Sequence, residues 1–236
     1  MKKRNSTMWF IAVYGITIGT LLIMVMMGSR AVTVISENLP IERKFVLILD
    51  PGHGGVDGGA TSCSGKLESH YNLDIALRLD DLLHLLGYET KMTRRSDISI
   101  HTQGATIAQK KVSDLRERVR ICNETENGIL ISIHQNTFPT ANCQGSQVFY
   151  PDTPGSKQLA SILQAQLRGS LNPENKRREQ KGKGIYLLEE LKIPGVLIEC
   201  GFLSNPQEDA QLQTDTYQKR ICCVIATALI DYMTHP

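Results

Sequence analysis

Three continuous apolar runs constrain the fold of this chain more than any other feature. Phe45-Val46-Leu47-Ile48-Leu49, Ile129-Leu130-Ile131-Ser132-Ile133 and Val196-Leu197-Ile198 are short, rich in β-branched residues and almost free of polar alternation. A strand with one wet face alternates apolar with polar, so runs like these suit strands covered on both faces, as in a parallel sheet. Shorter strand candidates lie at Tyr88 to Met92, Gln147 to Tyr150 and Ile185 to Leu188. Helical patterns stand between them. Leu73, Ala76, Leu77, Leu79, Leu82, Leu83 and Leu86 recur at three- and four-residue steps, and Gly87 is the stop signal. Asp114 to Thr125 reads as a second helix, with Leu115, Val119 and Cys122 inward and Arg116, Arg118 and Arg120 on more exposed faces. Ser156 to Leu167 and Tyr217 to Met233 supply two more, while Arg94 to Ser113 and Asn172 to Gly184 read as long polar loops. Strands alternating with helices predict an α/β fold: a single domain with a mostly parallel, twisted sheet flanked by helices.

A chain of 236 residues holds one such domain and a short appendage. The appendage is at the N-terminus. Lys2, Lys3 and Arg4 precede an uncharged, apolar stretch from Ser6 to Ser29. At about 1.5 Å per residue its apolar part can cross a hydrocarbon core of about 30 Å. Positive charge before the span places that end in the cytoplasm and exports the rest. A cleaved signal peptide and a buried core helix are the alternatives; the length of the run and the lack of an A-x-A site favour an uncleaved anchor. The expected organisation is therefore a cytoplasmic stub and membrane-spanning helix over 1–30, a linker over 31–44, and the folded domain over 45–236. Six cysteines form no C-x-x-C pair, so a zinc ribbon is not expected, nor at this size a disulfide framework. A net charge of +2 gives no reason to expect nucleic acid as a partner.

Ligands of open α/β sheets sit beyond the carboxyl ends of the strands. The first run ends in Asp50-Pro51-Gly52-His53-Gly54-Gly55, the middle one in His134-Gln135-Asn136, and the last in Glu199-Cys200-Gly201-Phe202. Glu68 stands just before the first long helix. Two imidazoles with one carboxylate are a ligand set for catalytic zinc, and a further glutamate can move protons beside it. Each residue alone has a plainer reading: a structural histidine, a helix N-terminal charge at Glu68, a buried acid paired with arginine at Glu199. The Gly-rich loop lacks both common phosphate-binding patterns. Arrival of all four residues at one sheet edge favours the metal.

With these residues in view, the chain from about Lys44 to Met233 resembles the zinc-dependent N-acetylmuramoyl-L-alanine amidases of the amidase-3 type. The matching stretches are LDPGHGGVDGGA (Leu49 to Ala60), Glu68 with Asn72-Leu73, DLRERVRICN (Asp114 to Asn123), ISIHQN (Ile131 to Asn136) and PGVLIECGFLSNP (Pro194 to Pro206). The resemblance implies that His53, Glu68 and His134 bind Zn2+ and that Glu199 is the catalytic glutamate. Asn136 and Arg116 are candidates for contacting substrate. Ser69-His70 replaces the Lys-Asp of many relatives, and Cys200 stands where a small apolar residue or leucine is common. The anchor, the lack of wall-binding repeats and the insertion from Ala105 to Asp114 resemble the germination-specific, spore-cortex amidases, which remove stem peptides so that muramic δ-lactam can form. The expected substrate is peptidoglycan. The expected location is the cell membrane, with the domain outside the cytoplasm (in a sporulating cell, between the two forespore membranes). An activating protein partner is left open. Lys176, Arg177, Arg178, Lys181 and Lys183 crowd one loop, either as a solvated segment or as an attractor of anionic polymer or lipid. A zinc peptidase cutting within the stem peptide and a non-catalytic peptidoglycan-binding module are the competing readings.

Overall fold

All three long apolar runs form central strands. The computed structural model describes residues 45–235. The expected membrane span and its linker lie outside these residues, and among the described residues no helix is long and apolar enough to cross a membrane. The strands are β1 (Val46–Pro51), β2 (Glu89–Met92), β3 (Gly128–Asn136), β4 (Gln147–Tyr150), β5 (Gln180–Lys181) and β6 (Gly195–Phe202). The helices are α1 (Glu68–Leu85), α2 (Ile107–Asn123), α3 (Ser156–Leu171), α4 (Tyr186–Glu189), α5 (Pro206–Leu212) and α6 (Asp215–Thr234). One six-stranded sheet runs in the order β2-β1-β3-β6-β4-β5. Its first four strands are parallel, β4 is antiparallel to β6, and β5 pairs parallel with β4. The sheet is thus mixed, with four parallel strands followed by two, β4 and β5, that run the other way.

Alternation along each strand sorts the side chains between two cores. Leu47, Leu49, Ile129, Ile131, Ile133, Val196 and Ile198 pack with α1, α3 and α6 in the larger one. Ile48, Leu130 and Leu197 point the other way, into a smaller core with Cys122 of α2 and Leu187 and Leu188 of α4. Two-residue steps put Asp50, Ser132, His134 and Glu199 on that second face. Register then brings them side by side: Asp50 pairs with Ser132, and His134 with Glu199.

Several elements depart from the sequence reading. Residues 185–188 are not a strand. Ile185 caps α4, and its carbonyl accepts from the amides of Leu188 (2.9 Å) and Glu189 (3.0 Å), a helical turn that buries the adjacent Leu187 and Leu188 together. The second helix begins at Ile107 rather than Asp114, because Thr106 and Gln109 form a reciprocal capping box. The supposed insertion is therefore two added turns of α2, not loop. Glu68 is the first residue of α1 rather than a loop residue before it. Helix α5, unforeseen, is set by Asn205, whose side chain accepts from Gln207 N (3.0 Å) and Glu208 N (3.1 Å) ahead of Pro206. The largest departure is Arg118. Expected on an exposed face, it is 2% exposed and belongs to the site. All six cysteines are free, and Cys200 is packed in the larger core.

Candidate metal and catalytic site

The DPGH turn after β1 carries His53, whose backbone adopts a positive φ of 60°. A non-glycine residue there is strained and persists only when its surroundings impose it. Two buried guanidinium groups do so. Arg118 donates to Pro51 O (2.9 Å) and His53 O (2.7 Å), while Arg94 donates to Pro51 O and Gly52 O (both 2.9 Å) and to Ser69 O. Arg118 is itself held by Asp114 (2.6 Å) and by Asp50, which also accepts from Ser132 Oγ and Thr93 Oγ1 (both 2.7 Å). The sequence reading missed Asp50 and Arg94 and misplaced Arg118. Their signal was an arginine recurring at helical spacing four residues after Asp114, opposite a strand ending in aspartate.

Glu68 lies between the two histidines. Its Oε2 is 3.3 Å from His53 Nε2, and its Oε1 is 3.0 Å from His134 Nδ1. The rings meet edge to face, with centroids 5.0 Å apart. Asn72 Nδ2 (3.2 Å), Gln135 N (3.2 Å) and Ala60 N (3.0 Å) also donate to the Glu68 carboxylate and fix its plane. Close approach demands glycine twice. A Cβ on Gly52 would lie 2.2 Å from the His134 ring, and one on Gly59 would lie 2.6 Å from Glu68 Oε2. One donor atom from each of His53, Glu68 and His134 falls within 4.8 Å of the others. Two nitrogens and a carboxylate oxygen at that spacing fit a divalent ion of zinc's size and preference, which holds such ligands at about 2.0–2.2 Å.

Electrostatics agree with that donor set. Burial opposes charge on His53, but hydrogen bonds to Asp57 and Glu68 outweigh it and raise the imidazole to about 9. Burial likewise opposes the Glu68 carboxylate, and the two histidines pull it well below the usual range. This is how a cluster short of positive charge behaves: it recruits protons where a cation would sit. Glu199 differs. Burial pushes it up to about 7, eased by His134 and reinforced by Glu68. Its Oε2 is closed off from solvent with no hydrogen-bond partner, and among the described residues no arginine pairs with it to make it a structural acid.

His53, His134 and Glu199 line one cavity of about 400 Å³, walled by Lys111 and Leu115 of α2 and by Ile185, Tyr186 and Leu187. Neither Asn136 nor Arg116 lines it. The Asn136 carboxamide accepts from Thr137 N (2.8 Å), and Arg116 faces a separate cavity along the first half of α2 with Gln103 and Gln109. Of the basic loop, Arg177 lies over the Phe202 ring (4.8 Å) and Lys181 pairs with Asp152 (2.7 Å).

A family model described as N-acetylmuramoyl-L-alanine amidase matches residues 47–231, nearly the whole folded domain. The chain belongs to this family. Within these amidases it is 39% identical over 201 residues to the germination-specific N-acetylmuramoyl-L-alanine amidase of Bacillus subtilis, covering 84% of this chain and 83% of that one. It is 29% identical over 189 residues to the N-acetylmuramoyl-L-alanine amidase LytC of the same organism, covering 79% of this chain but 35% of LytC. Among solved amidases, the CwlD amidase from Clostridioides difficile, in complex with the GerS lipoprotein, superposes with a TM-score of 0.78 at 36% identity. That match covers 81% of this chain and all (100%) of the solved one. An N-acetylmuramoyl-L-alanine amidase from Clostridium difficile 630 follows at a TM-score of 0.71 and 26% identity, covering 81% and 97%.

Proposed function

We propose that this chain is a zinc-dependent amidase that hydrolyses the bond between N-acetylmuramic acid and L-alanine in peptidoglycan, acting on the spore cortex or in wall remodelling. The observation that carries the reading is the unpartnered, buried carboxylate oxygen of Glu199, a residue that lines the same cavity as His53 and His134. Buried carboxylate oxygens are usually hydrogen-bonded, so an unpartnered one beside the two histidines favours a role in chemistry over packing. His53, Glu68 and His134 would hold the ion, which when bound supplies Lewis acidity toward a carbonyl and acidifies water.

The protein's own part is proton movement and placement. Glu199 takes a proton from the water that adds to the lactyl carbonyl. It returns that proton to the alanine nitrogen as the C–N bond breaks, leaving a lactyl carboxylate and a free peptide amine. Arg118 and Arg94 hold the His53 turn so that this geometry is ready before substrate arrives. Leu115, Ile185 and Leu187 give the cavity an apolar wall that limits water around the reacting amide. The name of the Bacillus subtilis relative supports a cortex substrate, and the lipoprotein bound to CwlD supports a protein partner for this chain. The metal assignment predicts one zinc per full-length chain and none in His134→Ala, measured by elemental analysis. Full zinc occupancy in that variant would remove His134 from the ligand set.

We further propose that residues 1–30 anchor the chain in the cell membrane with the domain outside the cytoplasm. The charge order of Lys2, Lys3 and Arg4 before an apolar run supports this. Full-length protein should stay in the membrane pellet through carbonate washing, and release into the supernatant would count against an anchor.

A further inference from the structure

The Gly-rich turn does more than leave room. Gly54 N donates to Asp57 O (2.7 Å) and Asp57 N to Gly54 O (3.2 Å), so the chain folds straight back and sets Asp57 over His53. Asp57 Oδ2 then lies 2.9 Å from His53 Nδ1, the ring nitrogen facing away from Glu68. On its other side Asp57 is gripped by Lys111 Nζ, at 3.2 Å from Oδ1 and 3.1 Å from Oδ2. Lys111 comes from the added turns of α2, which the Thr106 cap fixes in place.

We propose that Asp57 is the positioning residue of the metal site. It accepts the Nδ1 proton of His53, fixes the ring in the tautomer whose Nε2 is free for the ion, and aims that nitrogen at the point Glu68 and His134 share. A histidine ligand without such an acceptor can rotate or protonate at the wrong nitrogen, and loss of one typically costs about 10–100-fold in metal affinity. Lys111 keeps the acceptor itself from swinging away. The inference rests on the zinc reading above.

The test measures zinc affinity of the full-length chain by competition with a chromogenic chelator, alongside the melting temperature of the metal-free protein. Asp57→Ala is expected to bind zinc about 10–100-fold more weakly while the metal-free melting temperature stays near wild type. Asp57→Asn, which keeps an acceptor for the Nδ1 proton, should recover most of that loss. In the zinc-loaded protein the His53 Nδ1 proton should give a protected, downfield resonance in wild type and Asp57→Asn that disappears in Asp57→Ala. Unchanged zinc affinity in Asp57→Ala overturns the inference and leaves the metal site standing. Equal losses in Asp57→Ala and Asp57→Asn overturn it too, because charge rather than orientation would then be the cause. A wild-type chain that takes up no zinc removes the metal reading and this inference together.

Discussion

Glu199→Gln is expected to slow amide cleavage by about 10²–10⁴ while leaving zinc content and fold unchanged. Glutamine keeps the shape of the side chain and its place on β6, opposite His134, so packing has no reason to change. What disappears is a carboxylate that burial pushes to about 7, close to the pH at which a group must both accept and return a proton. A cation held by His53, Glu68 and His134 would pull that value down and favour the proton-accepting form, which is the form needed first. The free Oε2 is what separates this residue from Glu68, whose oxygens are already engaged by both histidines, Ala60, Gln135 and Asn72. Activity assayed on purified peptidoglycan, with zinc measured in the same sample, decides the matter. Near wild-type turnover would require another base, and loss of zinc would make Glu199 a ligand.

Arg118→Met is expected to be among the most destabilising single changes in the domain. Arg118 and Asp50 are 2% and 0% exposed, and the guanidinium also serves Asp114, Pro51 O and His53 O. Methionine fills much of the volume but leaves the Asp50 charge buried with only two hydroxyl donors. Breaking such a pair costs about 3–5 kcal/mol, which for a domain of this size lowers the melting temperature by roughly 6–20 °C. The strained His53 turn loses two of its donated hydrogen bonds as well, so zinc should bind more weakly in whatever fraction folds. Acid should act in the same direction. Burial opposes the Asp50 charge, but Arg118, Ser132 and Thr93 outweigh it and hold the carboxyl below its ordinary 3.8. A carboxylate whose folded pKa is depressed stabilises fully above its unfolded value, and that contribution fades as pH falls through the folded one. Wild type should therefore lose stability below about pH 4 more steeply than Arg118→Met. A variant that melts within 2–3 °C of wild type, a shift that in this size range corresponds to roughly 1 kcal/mol, would show that the pair does not anchor the turn.

The parts of the molecule that follow from apolar periodicity were legible in the sequence. Strands β1, β3 and β6 announce themselves because both faces are covered. Ligands of such sheets gather beyond the carboxyl ends of the strands, and His53, His134 and Glu199 end or follow these three runs, which is why they stand out together as candidates. Elements that depend on capping were harder to place. Thr106 with Gln109 and Asn205 with Pro206 start helices through side-chain hydrogen bonds that a search for apolar stripes passes over. Residues 185–188 are apolar in a row, and only their hydrogen bonding separates a helical turn from a short edge strand. Arg118 was misplaced for a deeper reason. Charge on a helix predicts exposure unless a partner is known, and its partner Asp50 is 68 residues away in sequence. The residues that hold the His53 turn and ring were hidden in the same way, because Arg94, Asp57 and Lys111 acquire meaning only through contacts made by the fold.

Product masses show whether this site cuts the amide joining muramic acid to L-alanine. Purified spore cortex and vegetative wall, digested with full-length chain and zinc, should each be examined for new termini. Free stem peptides beginning with an L-alanine amine and glycan strands bearing unsubstituted lactyl carboxylates are expected, with neither product from Glu199→Gln. Peptides cut between two amino acids, with L-alanine still attached to muramic acid, would contradict this reading and make the chain a peptidase on the same fold.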